Sequence, residues 1–241
     1  MSIEPQFSIN PACLSPILQS LFPSGVIAAE LRDPGSASML FPEEAAHVQR
    51  AVPKRVQEFA AGRLCARRAL AEFGINDFVL PVAADRQPLW PAAIVGSISH
   101  TTGLCVAVVA QRERVAALGV DSEIVGQAGI DIWPTICGPV ERIWVNSLPA
   151  DQRPAAVTLL FSAKEAFYKC QYPIAQEWLD FHDLRVEPLD WGSERAGFIV
   201  HATRPLKVAN HTGGPVTGQY LFRGDVLTTG VALGRAQMVV Q

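Results

Sequence analysis

Two carboxylates two residues apart, Asp121 and Glu123 in Gly119-Val-Asp-Ser-Glu123, follow an apolar run. On an extended chain residues i and i+2 point to the same side, so the pair shares one face, about 7 Å apart along the backbone. Like charges that close repel unless a proton or a cation intervenes. A hard divalent cation such as Mg²⁺, which takes oxygen ligands and keeps part of its water, suits them. The plainer alternative is a solvated strand exit.

A second segment, Phe161-Ser-Ala-Lys-Glu-Ala-Phe-Tyr-Lys169, has helical spacing. Glu165 and Lys169 lie i,i+4 on one face, opposite a core-facing side of Ala163, Ala166 and Phe167. As surface, they form an ion pair worth a few tenths of a kcal/mol. As chemistry, Glu165 completes a carboxylate cluster while Lys164 and Lys169 face a phosphate or an approaching hydroxyl. In Gly96-Ser-Ile-Ser-His100-Thr101, strand alternation puts Ser97 and Ser99 on one face and His100 on the other. His100 beside the Ser99 hydroxyl can donate to a phosphate, or be an ordinary satisfied histidine. Basic residues gather at Lys54, Arg55, Arg63, Arg67 and Arg68, with Arg63 and Arg67 on one helix face. They read as a solvated face or as a landing site for a multiply charged phosphate, which the guanidinium fork matches. No G-x-S-x-G elbow, Walker A loop or G-x-G-x-x-G turn is present, which removes support for serine hydrolase chemistry and the usual nucleotide folds.

The elements that must hold these groups alternate between helix and strand. Residues 1–40 read as a lead-in with a strand or two. Phe41-Pro-Glu-Glu44 opens a helix with two acids at its positive end. A second helix runs from about Lys54 to Phe73, stopped by Gly74. Strands are expected at Phe78–Ala83, Ile94–Ser99, Leu104–Ala110 and Val115–Val120, the last three as a meander. Residues 122–150 read as irregular, a strong helix covers Pro154–Cys170 and ends by Pro173, and strands follow near 183–188, 195–202 and 218–234. Helix then strands, twice over, gives an α+β class with two similar halves, 1–112 and 113–241.

The chain has 241 residues, formal charge −3, 49 % hydrophobic and 18 % charged residues, an ordinary globular composition without the basic excess of a nucleic-acid binder. The start lacks a signal-peptide pattern, and the longest apolar run, Leu104–Ala110, is too short for a membrane span. Five cysteines without a C-x-x-C pair argue against a metal or disulfide framework and for a reducing cytoplasm. Cys105, inside a strand pattern, reads as a small buried hydrophobe.

In this order, the three segments Gly96–His100, Gly119–Glu123 and Phe161–Lys169 resemble the signatures of Sfp-type 4′-phosphopantetheinyl transferases. Lys54-Arg55-Val-Gln-Glu-Phe59-Ala-Ala-Gly-Arg63-Leu-Cys-Ala-Arg67 and Arg86-Gln-Pro88-Leu-Trp90-Pro look like the subgroup similar to enterobactin synthase component D. The resemblance spans about residues 41–170. It implies two α+β halves related by a pseudo-twofold, with coenzyme A in the cleft between them. Asp121, Glu123 and Glu165 would hold Mg²⁺ against the pyrophosphate. Ser99, His100 and Lys169 would contact the coenzyme A phosphates, with Arg55, Arg63 and Arg86 as further anion contacts. Arg86-Gln87-Pro88 stands where many relatives carry Gly-Lys-Pro, so Arg86 takes over the basic contact or the contact is lost. The implied reaction transfers phosphopantetheine to a serine of an acyl, peptidyl or aryl carrier protein and releases 3′,5′-ADP, with Glu165 or a metal-bound water as base. A monomer is the simpler assembly for a chain with two internal halves. The rival readings are another metal-dependent phosphotransferase and a non-catalytic module that binds coenzyme A or a carrier.

Overall fold

The computed structural model of the chain describes residues 12–212 and 214–234. In chain order they form β1 (Cys13–Leu14), α1 (Pro16–Gln19), β2 (Ile27–Leu31), α2 (Pro42–Ala46), α3 (Pro53–Ala71), β3 (Ile94–Thr101), β4 (Leu104–Gln111) and β5 (Val115–Ile124). Then come α4 (Trp133–Ile136), α5 (Pro139–Ser147), α6 (Arg153–Ala175), β6 (Leu184–Pro188), β7 (Arg195–Ala202), α7 (Ala209–Thr212), β8 (Val216–Arg223) and β9 (Val226–Gly234). The strands make two antiparallel sheets, ordered β1-β2-β4-β3 and β5-β9-β8-β7-β6. The α+β class holds.

The continuous apolar run of β4 is explained by burial on both faces. Cys105, Ala107 and Val109 face α3 and pack with Ala61, Cys65, Ala66 and Ala69. Val106, Val108 and Ala110 face the other way, into a core shared with Leu118, Val120, Leu221 and Val226. A third core lies under α6, where Val157, Leu160 and Phe167 meet Phe198, Tyr220 and Val231. Two helix-backed sheets are thus joined through a middle core.

The same connectivity occurs twice. In β2-α3-β3-β4 the first strand pairs antiparallel with the last, which pairs with the strand before it. β5-α6-β8-β9 repeats this, with β6, β7 and α7 inserted after the helix. The two units lie on either side of the short β4–β5 turn.

Several expectations are corrected. No strand forms at Phe78–Ala83; a loop runs there with one isolated bridge, Val82 to Pro88, because Pro81 and Pro88 lack ladder donors and Arg86 turns left-handed at φ 72°. β3 and β4 make a hairpin, but β5 does not extend it into a meander. The other edge of β4 is taken by β2, so β5 crosses to the second sheet and pairs with β9. Residues 122–150 are less irregular than their glycines and prolines suggest: β5 continues to Ile124, and Pro139 opens α5 at a first-turn position where its missing N–H costs nothing. α6 carries Pro173 inside it and ends at Gln176 (φ 45°, ψ 43°). The 218–234 segment is two strands joined at Gly224-Asp225. Gly74 does follow α3 in a left-handed turn. Part of the expected lead-in, residues 1–11, lies outside the described residues. Among the described residues no helix is long and apolar enough to cross a membrane.

Candidate active site

Gly119 decides how closely α6 can approach β5. A Cβ there would stand 1.8 Å from the Ala166 carbonyl oxygen and 2.8 Å from the Cys170 nitrogen, so only glycine lets the helix lie on the strand. That contact brings the turn carrying Glu165 and Lys169 beside the strand end carrying Asp121 and Glu123. Buried hydroxyls lock the arrangement from behind: Ser122 Oγ meets Thr228 Oγ1 at 2.9 Å, and Ser162 Oγ meets Thr229 Oγ1 at 2.8 Å.

β3 arrives from the other unit without a backbone ladder to β5. In its place Ser97 Oγ accepts from Val120 N and Ser99 Oγ accepts from Ser122 N, each at 3.1 Å. The Ser99 hydroxyl donates its proton to Asp121 Oδ1 at 3.0 Å. Ser99, expected beside a phosphate, is thus buried and committed to seaming the units and orienting Asp121.

Asp121 is the centre of the constellation. Its Oδ1 also accepts from Lys169 Nζ at 2.7 Å, and Lys169 donates at 3.3 Å to the Val120 carbonyl and to Ser99 Oγ. Lys169 therefore pairs with Asp121 and not with Glu165, its neighbour on the helix. Asp121 Oδ2 is buried without a hydrogen-bond partner. Burial, with the charges of Asp121 and Glu165 and against the pull of Lys169, pushes the Glu123 carboxyl up to about 7. Glu165 is raised too, by burial first and then by Asp121, with Lys169 opposing. Among the described residues no three His, Cys, Asp or Glu side chains are gathered into a ready metal cage, since a lysine ammonium occupies Asp121 Oδ1. The donors nevertheless fit a hard cation: they are all carboxylate oxygens, burial and the charge of Asp121 raise the proton affinity of Glu123 and Glu165, and the orphaned Oδ2 lacks a positive partner.

A cleft of about 760 Å³ reaches the constellation at Lys169 and is lined by Arg55, Arg86, Trp90 and His100 from the first unit and by Tyr168, Lys169 and Trp178 from the second; Asp121, Glu123 and Glu165 are not among its lining residues. Arg55 Nη1 lies 3.0 Å from His100 Nε2. A guanidinium only donates, so Nε2 is the acceptor and the ring is neutral, leaving Nδ1–H as its donor. Burial first, with Arg55 and Lys169, lowers the His100 pKa against Glu58. Arg63 is buried, stacked 3.9 Å over Phe59, a residue that lines the cleft, and its Nε has no partner. Burial, helped by Arg55 and Arg67 and opposed by Glu44, lowers its pKa to about 10. Arg86 is exposed on the 81–91 loop at the rim.

Two basic residues are not available to a ligand. Arg67, expected to share a phosphate-binding face with Arg63, is bound to both Glu44 oxygens at 3.0 and 2.9 Å and to the Met39 carbonyl. Lys164, expected to face phosphate, is fully buried and donates to Glu141 Oε2 at 2.7 Å and the Ile136 carbonyl at 2.8 Å. Sequence reasoning missed Glu58, 3.8 Å from His100, although its i+3 spacing from Arg55 was a usable signal. It also missed the aromatic wall of Tyr168, Tyr172 and Trp178, for which the loop position of Trp178 offered none.

Residues 43–110 match the 4′-phosphopantetheinyl transferase N-terminal domain, and residues 117–220 match the 4′-phosphopantetheinyl transferase superfamily. The chain is 43 % identical over 167 residues to 4′-phosphopantetheinyl transferase Svp of Streptomyces mobaraensis, covering 68 % of this chain and 67 % of that one. It is 28 % identical over 222 residues to 4′-phosphopantetheinyl transferase Npt of Nocardia iowensis, covering 90 % and 99 %. Enterobactin synthase component D of Salmonella typhi is 44 % identical over 121 residues, 48 % of each chain.

Proposed function

We propose, from the premise that this chain belongs to the 4′-phosphopantetheinyl transferase superfamily, that it moves phosphopantetheine from coenzyme A to a serine of an apo carrier protein, acyl, peptidyl or aryl, with Mg²⁺ held by Asp121, Glu123 and Glu165. The observation that carries the reading is a pair of buried, partnerless polar atoms of opposite demand. Arg63 Nε lacks an acceptor and Asp121 Oδ2 lacks a positive partner. A diphosphate with a bound cation answers both demands, since a buried polar group left unmatched is costly.

Arg55, Arg63 and Arg86 bind the anionic groups of coenzyme A, Arg55 also orienting the neutral ring of His100, whose Nδ1–H donates to a phosphate oxygen. Lys169 gives up part of its contact with Asp121 to meet charge on the diphosphate. Ser99 keeps Asp121 aimed. The serine hydroxyl of the carrier gives its proton to the Glu165 carboxylate, whose raised proton affinity suits a base. The serine oxygen bonds to the β-phosphorus as the diphosphate P–O bond breaks, and the electron pair leaves with 3′,5′-ADP. When bound, Mg²⁺ supplies electrostatic stabilisation to the phosphoryl oxygens as their charge grows.

The reading extends to a division into halves 1–112 and 113–241, supported by the repeated connectivity, to a monomer, the simpler assembly for a chain with two internal halves, and to a cytoplasmic location, supported by five free cysteines. The test is to incubate the protein with coenzyme A, Mg²⁺ and apo carrier proteins and to weigh the carriers. A gain equal to the phosphopantetheine arm that disappears with EDTA is the expected result. No gain on acyl, peptidyl and aryl carriers alike would overturn the reading.

A further inference from the structure

The structure repeats more than connectivity: it repeats one buried ion-pair clasp at the same sequence spacings, with a forked contact to both carboxylate oxygens in the first copy and a contact to one oxygen in the second. In the first unit Glu44 is the third residue of α2, which opens on Pro42, and its Oε2 accepts from Phe41 N, three residues back. In the second, Glu141 is the third residue of α5, which opens on Pro139, and its Oε2 accepts from Gly138 N, also three back. The long helix supplies the cation 23 residues later in both cases, Arg67 from α3 and Lys164 from α6. Each cation also binds the carbonyl 28 residues before it, Met39 or Ile136. The Oε1 of each glutamate then accepts a backbone N–H from the segment after the helix, Leu80 N at 3.0 Å or Val186 N at 2.7 Å; Glu44 Oε1 is shared with Arg67, whereas Glu141 Oε1 is not shared with Lys164. Both glutamates are buried, at 0 % and 2 % exposure.

A buried ion pair is a poor source of net stability, because desolvation offsets the attraction; its best-attested use is to fix register. Here each clasp ties one long helix to its short helix and to the next segment. The residue that follows Lys164 is Glu165. A helix turns 100° and rises 1.5 Å per residue, so pinning Lys164 fixes both the rotation and the height at which Glu165 and Lys169 meet Asp121. The first clasp pins α3, which carries Arg55 and Arg63. We infer that Glu141–Lys164 and Glu44–Arg67 are duplicated positioning pairs, the second aiming the reacting groups of α6 and the first aiming the anion-binding groups of α3. This division rests on the transferase reading above.

The test is the same perturbation made in each copy. Glu141→Gln/Lys164→Met removes both charges together, leaving no lone buried ion, and so is the variant expected to fold. Its kcat falls about tenfold or more while the KM for coenzyme A stays within about twofold, as for loss of a group that orients a reacting side chain. Glu44→Gln/Arg67→Met raises the KM for coenzyme A about tenfold, with the smaller change in kcat. Lys164→Arg, which installs the cation that serves in the first copy, keeps most of the wild-type kcat. Hydrogen exchange supplies a readout that needs no turnover: each double variant loosens its own long helix and spares the other. If wild type transfers but both double variants change the same kinetic parameter, or neither changes any, the positioning role is overturned. If wild type fails on every carrier, the transferase reading falls, and exchange alone decides whether each clasp holds its helix.

Discussion

The two units share a strand-helix-hairpin frame and a clasp, yet only one of them carries the carboxylates. One residue beyond the clasp cation stands Arg68 in α3 and Glu165 in α6; four residues further stand Glu72 and Lys169. Arg68 and Glu72 close on each other at 2.7 Å as an exposed i,i+4 pair. The charge-reversed pair on α6 does not close, because Gly119 lets α6 settle on β5 and Lys169 reaches Asp121 instead. The seams between units differ as well. Where β3 meets β5 there are serines, an aspartate and a lysine; where β2 meets β8, Glu30 and Arg223 satisfy each other at 2.6 Å. The lesson is that a repeated frame becomes reactive where its ion pairs are left incomplete.

The comparison breaks first at Asp121. Asp121→Ala is expected to lower transfer on the order of 10³-fold or more, because it removes a carboxylate proposed to hold the cation. The fold should survive, since Lys169 is partly exposed and can turn to water. Near wild-type turnover by the carrier assay, with an unchanged circular dichroism melt, would end its assigned role.

Glycine substitutions sharpen the contrast between the helix seats. Gly119→Ala drives a methyl into backbone atoms of α6 and is expected to cost about 3 kcal/mol or more, with activity lost as α6 lifts. In α3 a Cβ on Gly62 meets the flexible Ile98 side chain at 3.1 Å. Gly62→Ala is expected within about 1 kcal/mol of wild type, helix propensity offsetting the crowding. Equal costs in urea melts would mean that the two helices are seated alike.

The smallest effect is electrostatic and confined to the second unit. Glu123 has a folded-state pKa of about 7, above its ordinary 4.5, so the folded chain holds that proton more tightly than the unfolded chain. Its contribution to stability is full below the unfolded value and is lost as pH rises through the window between the two. In EDTA, the melting temperature of wild type relative to Glu123→Gln should therefore fall by a few degrees from pH 5 to pH 8. A flat difference would show that Glu123 is not held among like charges.

Much of the site was legible because its segments are local. Strand alternation put Asp121 and Glu123 on one face, and helical spacing put Glu165 beside Lys169. What spacing cannot reveal is partners from distant elements. Lys164 and Arg67 read as exposed cations because Glu141 and Glu44 reach them only after α5 and α2 dock. Ser99 read as a phosphate contact because its bonds to Asp121 and Ser122 exist only once β3 lies against β5. The missing meander has the same origin, since β2, whose last residue Leu31 lies 74 residues before its partner Cys105, claims the edge of β4 only after folding.

The central claim is that the first unit binds the anionic ligand and the second performs the chemistry. It is tested most directly by steady-state kinetics on coenzyme A for Arg63→Ala and Glu165→Gln side by side. Arg63→Ala should raise the KM for coenzyme A about tenfold with kcat little changed, and Glu165→Gln should lower kcat about 10²-fold or more at a similar KM. An unchanged KM in Arg63→Ala, or equal losses of kcat in both, would contradict it.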